Sequence, residues 1–232
     1  MNLSCLLGVI GCATPAPPAP PAAMEAQRQL AERVRADPEL AVLFVGNSYS
    51  FGVPKAFSRF AASHGKKVRT GHATYGGWTL ERHSTNEATL RKIRDGRWDV
   101  VVIQEQSLIP AMPAGERAVK MLPPLRRLVA VVRENGAVPV LYQTWGRRDG
   151  DKEVPGDDFL AMNHRLREGY RAAAADAGGL LVVPVGDAWE TEVRAGRGNA
   201  LFMDDGSHPS PHGDRVTAAT FYEAIYGAPA SE

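Results

Sequence analysis

Thiols are confined to the extreme N-terminus: Cys5 and Cys12 are the only cysteines in 232 residues. From Ala13 onward this excludes an internal disulfide, a cysteine nucleophile and a zinc–thiolate site. It leaves the redox compartment open, although a cysteine-free body suits an oxidising one. An excess of one charge is also lacking. With 27 basic and 26 acidic residues the net charge is +1, which offers no basic surplus for a nucleic-acid backbone. Aromatic residues make up 7%, too few for a stacking platform. The apolar start "MNLSCLLGVIGC" is too short to span a bilayer as a mature helix. What remains is 44% hydrophobic and 23% charged, an ordinary globular composition with enough apolar material for one well-buried core.

The stretch Val9-Ile10-Gly11-Cys12 resembles the end of a bacterial lipoprotein signal peptide, in which the cysteine is lipidated and becomes the new N-terminus. The basic n-region of such signals is missing here. The resemblance implies a signal peptide over residues 1–11, lipidation at Cys12, a bacterial cell-envelope location and membrane contact only through a lipid anchor. A leader without function is the competing reading. Residues 12–37 combine a spacer, "ATPAPPAPPAA", whose prolines favour extended polyproline II, with a short helix stopped before Pro38. The folded domain is expected over residues 38–232, without internal repeats.

That body alternates. Strands are expected over residues 40–46, 67–73, 98–104, 137–143 and 180–186, with helices over 54–64, 79–95, 125–135, 158–177 and 211–226. "WDVVVIQ" is a continuous β-branched run, as in a strand buried on both faces. Alternating β and α with buried strands predicts an α/β fold with a five-stranded, mostly parallel sheet covered by helices. Ligands of such sheets bind beyond the carboxyl ends of the strands. The residues there are Asn47-Ser48, Gly76-Gly77, Gln104-Glu105-Gln106-Ser107, Gln143-Thr144-Trp145 and Asp187, a small and polar set.

Ser48 follows the first strand and precedes a helix, where a serine either caps a turn or presents a nucleophile. "GNSYSFGVPK" lacks the Gly-Lys-Ser/Thr of a phosphate loop, and Ser50 stands where a nucleophile elbow needs its second glycine. A serine nucleophile needs a base, and the base needs an orienting acceptor. "MDDGSHPSPHGD" offers both, with Asp205 and His208 separated by Gly206 and Ser207 in a loop before the last helix. A surface turn that happens to hold a histidine is the plainer reading.

"LFVGNS", the later Gly-Gly, "WDVVVIQEQS" and "DGSHPS" together resemble the SGNH/GDSL hydrolase superfamily across residues 40–227. The resemblance implies a flavodoxin-like three-layer αβα sandwich and hydrolysis of esters, often acetyl esters of carbohydrates, without a cofactor. It also implies Ser48 as nucleophile, His208 and Asp205 as base and orienting acid, and an oxyanion hole of Ser48 N–H, Gly77 N–H and a glutamine amide. Gln106 falls at the place of the family's asparagine, with Gln104 as the alternative, and Gly76 is a second register for Gly77. Asn47 replaces the aspartate of Gly-Asp-Ser.

Weaker expectations attach to other residues. His83 either lines the cleft with Trp78 or lies exposed on a helix. Trp145 packs in the core or a loop, or faces a sugar ring. Asp187 caps the helix that follows it. Two rival functions stand beside the esterase. One is a metal-dependent phosphoesterase using Asp204, Asp205, His208 and His212, although Pro209 and Pro211 interrupt the helix that would align the histidines. The other is a non-catalytic glycan-binding domain that kept the fold.

Overall fold

The computed structural model of the chain describes residues 21–36 and 38–227. The expected signal peptide, the lipidation cysteine Cys12 and the proline spacer up to residue 20 lie outside these.

In chain order the elements are α1 (Pro21–Ala36), β1 (Glu39–Gly46), α2 (Val53–Ser63), β2 (Lys67–Thr74), α3 (Leu80–Thr85), α4 (Glu87–Asp95) and β3 (Val100–Ile103). Then follow α5 (Ala114–Lys120), α6 (Leu122–Glu134), β4 (Val138–Tyr142), α7 (Phe159–Asp176), β5 (Leu181–Val183), α8 (Val185–Arg194) and α9 (Pro211–Tyr226). The strands form one sheet in the order β2-β1-β3-β4-β5, and every pairing is parallel. This is the doubly wound order whose switch point, a natural crevice, lies between β1 and β3.

The alternation of side chains along each strand divides the core in two. Val42, Phe44, Val100, Val102, Val140 and Tyr142 face one layer, where α1, α2, α8 and α9 supply Leu30, Phe57, Trp189 and Phe221. Leu43, Val45, Val101, Ile103 and Leu141 face the other, where α3, α4, α6 and α7 supply Leu80, Ile93, Leu128 and Leu166. The result is a three-layer αβα sandwich, with apolar residues on both faces of the central strands.

Three expectations need correction. The helix expected over 79–95 is two helices, because the Asn86 side chain accepts the Thr89 N–H at 2.9 Å and starts a new one. Asn86 also donates its own N–H to the His83 carbonyl, so a single residue ends α3 and caps α4. The fifth strand is shorter than expected: Pro184 ends the ladder and Val185-Gly186 already belong to α8. Asp187 therefore does not cap α8. It lies inside the first turn and accepts from Gln143 Nε2 at 2.8 Å and Arg167 Nε at 2.7 Å.

The short helix assigned to the spacer packs on the domain. Leu30 is fully buried among the residues of one core layer. Arg33 donates to the Gly136 carbonyl just ahead of β4, and Ala22 lies against Gly179 just ahead of β5. Both ends of α1 thus sit at the edge of the sheet where strands begin. Leu30→Ala should lower the unfolding free energy by about 2–5 kcal/mol, the usual cost of emptying a leucine site in a core. Urea denaturation measures it, and a change below about 0.5 kcal/mol would mean that α1 does not contribute to the fold.

Candidate active site

Beyond Gly46 the β1 backbone leaves the sheet, and its next N–H, that of buried Asn47, needs a partner. Gln104, at the exit of β3, supplies it: Oε1 accepts the Asn47 N–H at 2.9 Å and the Ser50 hydroxyl at 3.1 Å. A Cβ on residue 46 would lie 2.4 Å from that oxygen, so the strand ends on glycine to let the glutamine side chain cross. Asn47 then caps a 3₁₀ turn, Ser48–Ser50, through its Oδ1, which accepts the Tyr49 N–H at 3.1 Å. Its Nδ2 reaches the Trp78 carbonyl at 3.4 Å, a donation that an aspartate carboxylate could not make. Ser48 is thereby presented at the β1–β3 switch point.

Ser48 Oγ lies 2.9 Å from His208 Nε2, and His208 Nδ1 lies 2.5 Å from Asp205 Oδ2. The other carboxylate oxygen accepts the Ser207 and His208 backbone N–H groups at 2.8 and 2.9 Å. Burial would raise the Asp205 pKa, but the hydrogen bonds from the His208 ring and from the two backbone amides outweigh it and hold the group at about 2. An ionised carboxylate can only accept. The proton on the neutral imidazole therefore sits on Nδ1, which leaves the Nε2 lone pair facing the Ser48 hydroxyl. Asp204, by contrast, makes no hydrogen bond or ion pair to another described residue.

The loop that carries His208 is held from several sides. Gly206 takes a φ of +65°, which lets the Asp-Gly turn close. Trp145 Nε1 donates to the Ser207 carbonyl at 3.0 Å, and the Tyr49 hydroxyl meets Ser207 Oγ at 2.5 Å. Tyr49 stacks on Trp145 and Trp145 on Trp189, with centroids 4.8 and 3.8 Å apart. Trp145 is thus fully buried and does not face the cleft. Arg148 donates its backbone N–H to Gly206 O at 2.8 Å and its guanidinium to Met203 O at 2.9 Å.

On the other side of Ser48, residues 75–78 form a turn closed by the Trp78 N–H on the Tyr75 carbonyl at 3.1 Å. Gly77, its third residue, has φ +69°, a conformation that favours glycine. The Ser48 and Gly77 N–H groups have no hydrogen-bond partner among the described residues. Gln106 Oε1 accepts the Leu108 N–H at 2.8 Å, which leaves its amide NH₂ without a described partner. The Gln104 amide, the alternative donor, is spent on the Glu105 carbonyl.

His83 neither lines the cleft nor lies exposed. It is fully buried, with Nε2 donating to the Gly46 carbonyl at 2.9 Å and Nδ1 meeting Thr89 Oγ1 at 3.2 Å. Burial drives its pKa down to about 4 against the opposing effect of the Gly46 contact, so it stays neutral. Among the described residues no group of three or more His, Cys, Asp and Glu side chains is placed to hold a metal ion.

Sequence reading gave no role to Tyr49 or Asp214, and placed Glu105 only within the polar set at the strand exits. Glu105 is fully buried at the exit of β3. Asp214, in the first turn of α9, presses on Gly52, where a Cβ would lie 2.0 Å from its Oδ2. The spacing Ser210 to Asp214 carries the one usable signal, an acid in the first turn of a capped helix.

No family model matches the sequence, and no curated protein is significantly similar to it. Solved structures are similar. A candidate SGNH hydrolase from Slackia heliotrinireducens is 29% identical, with a TM-score of 0.65 over 81% of this chain and 99% of its own. A DUF4886 family protein from Bacteroides uniformis gives a TM-score of 0.73 at 21% identity, over 84% of this chain and 85% of its own. An acetylxylan esterase from Geobacillus stearothermophilus gives 0.59 at 17% identity, over 83% and 96%.

A pH test follows from Asp214, whose carboxyl is pushed up to about 6 by burial. The folded state keeps this proton to about pH 6, while the unfolded chain releases it near the ordinary value of 3.8. Stability from the protonated acid is therefore complete below about pH 4 and lost as pH rises through about 6. Asp214→Asn lacks that loss, so its stability relative to the parent should climb between pH 4 and 6 and then level off. Urea titrations at several pH values measure the difference; a gap independent of pH would contradict it.

With these neighbours, an all-parallel sheet in the 2-1-3-4-5 order and a serine at its switch point, the chain belongs to the SGNH/GDSL hydrolase superfamily.

Proposed function

We propose that the protein is a serine esterase in which Ser48, His208 and Asp205 act as a triad. The observation that carries this reading is the unbroken relay from Ser48 Oγ to His208 Nε2 at 2.9 Å and from Nδ1 to Asp205 Oδ2 at 2.5 Å. His208 Nε2 takes the Ser48 proton as Oγ attacks the ester carbonyl, and Asp205 fixes the tautomer and stabilises the imidazolium. The Ser48 and Gly77 N–H groups and the Gln106 amide hold the oxyanion. His208 then protonates the leaving alkoxide, and water repeats the cycle on the acyl-enzyme.

Two features favour esters of sizeable alcohols. The site is open, with the His208 and Asp205 side chains 37% and 50% exposed. Beside it the partly exposed rings of Tyr75 and Trp78 pack with centroids 4.2 Å apart, an apolar face that suits a sugar ring. Acetyl esters of carbohydrates are accordingly the proposed substrates. The N-terminal segment supports an exported enzyme tethered to the bacterial envelope through Cys12.

A fluorophosphonate probe tests the nucleophile without a choice of substrate. Ser48 should be the modified residue, and Ser48→Ala should abolish both labelling and hydrolysis of p-nitrophenyl acetate while leaving Tm nearly unchanged. Labelling retained at another serine would refute the assignment. Asp205→Asn should lower kcat by about 10⁴, as when a triad imidazole loses its tautomer. Asp204→Asn should leave it within a few-fold, and a severe loss in that variant alone would reverse the two roles. Gln106→Ala should cost about 10²–10³ in kcat with little change in KM, the usual price of one oxyanion donor. A kcat equal to that of the parent would remove Gln106 from the hole.

A further inference from the structure

We propose that Glu105 is a positioning residue of the site, its carboxyl binding together the two loops that carry Gly77 and Gln106. This rests on the esterase reading and deepens it.

The geometry begins with Gly77. A Cβ there would meet nothing within 4 Å, so the residue borders open space. Asn47 Nδ2 holds the turn at the Trp78 carbonyl from the Ser48 side, and two backbone donations fix the chain on either side of it. On one side the Tyr75 N–H donates to the Gly46 carbonyl at 3.1 Å. On the other, the N–H of Leu80, the first residue of α3, donates to Glu105 Oε1 at 2.9 Å. The Thr79 hydroxyl is occupied elsewhere in the helix cap, accepting the Arg82 N–H at 3.4 Å. Glu105 Oε1 is thus the acceptor that fixes the far end of the turn.

The same oxygen accepts the Gln106 N–H at 2.6 Å, which sets the backbone from which the proposed third donor projects. One atom therefore ties together the two stretches that carry two of the three proposed oxyanion donors. The side chain cannot swing away, since Glu105 is fully buried. Its second oxygen, Oε2, is buried without a hydrogen-bond partner among the described residues. A carboxyl kept for stability alone would satisfy both oxygens. Burial, only partly offset by the two backbone amides and reinforced by the Glu81 charge, raises the pKa to about 7. Half-satisfied burial of this kind is costly, and the position of Oε1 is what it secures.

The test compares Glu105→Gln, which keeps an acceptor at Oε1, with Glu105→Leu, which keeps the bulk and removes it. The parent and both variants are assayed on p-nitrophenyl acetate, and amide hydrogen exchange is read at Leu80 and Gln106. The leucine variant should lose about 10–100-fold in kcat with KM within about three-fold, since a displacement near 1 Å at a donor costs on that order. Its Leu80 and Gln106 amides should exchange faster. The glutamine variant should keep kcat within about three-fold and keep both amides protected. A leucine variant with the parent's kcat overturns the proposal, and so does a glutamine variant as impaired as leucine. Should leucine fail to fold, Glu105→Asp replaces it, because its shorter side chain cannot reach both amides, and the same kcat criterion applies. If the parent itself neither labels with fluorophosphonate nor hydrolyses the ester, the esterase reading falls and the positioning role falls with it. The exchange measurements then still show whether Glu105 holds the two loops.

Discussion

The acceptance of one backbone N–H by one side-chain oxygen, Asn47 to Gln104 Oε1, is the contact on which the site depends. A parallel ladder satisfies backbone groups only as far as neighbouring strands run together, and the chain must then leave the sheet to place a side chain in the crevice. The first amide beyond the ladder is buried and would be orphaned at a cost of about 1–3 kcal/mol. Gln104 removes that penalty by reaching from the adjacent strand, and Gly46 makes room for it. The "QEQS" segment repeats this logic. Gln104 secures the Ser48 turn, Glu105 the far side of the Gly77 turn, and Ser107 accepts from Arg147 of the β4 loop at 3.2 Å. Gln106 is left with its amide uncommitted.

The histidine loop is secured differently. Its residues are polar and partly exposed, so they contribute little burial of their own, and its geometry is borrowed from the stack of Tyr49, Trp145 and Trp189 beneath. Each ring arrives from a separate element: the turn after β1, the loop after β4, and α8. Tyr49 adjoins Ser48 in sequence and bonds Ser207, which adjoins His208. A shift of one partner of the Ser48–His208 pair therefore carries the other with it, and a 2.9 Å contact across 160 positions survives on an open surface.

Much of this was legible in the sequence, and the reasons differ from residue to residue. The β-branched run of β3 and the Pro-initiated α9 follow from local propensity. Ser48, His208 and Asp205 were singled out by a strand exit, a short spacing and a family likeness. Asn86 was missed as a helix boundary because the polar pattern on either side of it reads as one helix. The strand expected through residue 186 stops earlier because apolar residues flanking Pro184 look alike in strand and helix. Leu30 was hidden by its neighbours: α1 is rich in charged and polar residues, and only its burial shows which face counts. His83, Tyr49 and Glu105 find partners 25 to 158 positions away, and no local pattern encodes such contacts.

The placement of α1 also gives the molecule a polarity. In a parallel sheet every strand starts at one rim and ends at the other. Arg33 and Ala22 hold α1 to the starting rim, while Ser48 and His208 crown the opposite one. Pro21, where the described chain begins, therefore lies at the base of the domain, and the length of the strands stands between it and Ser48. The described chain thus enters the domain at one rim and presents Ser48 and His208 at the other, so the crevice is approached from the side away from that entry.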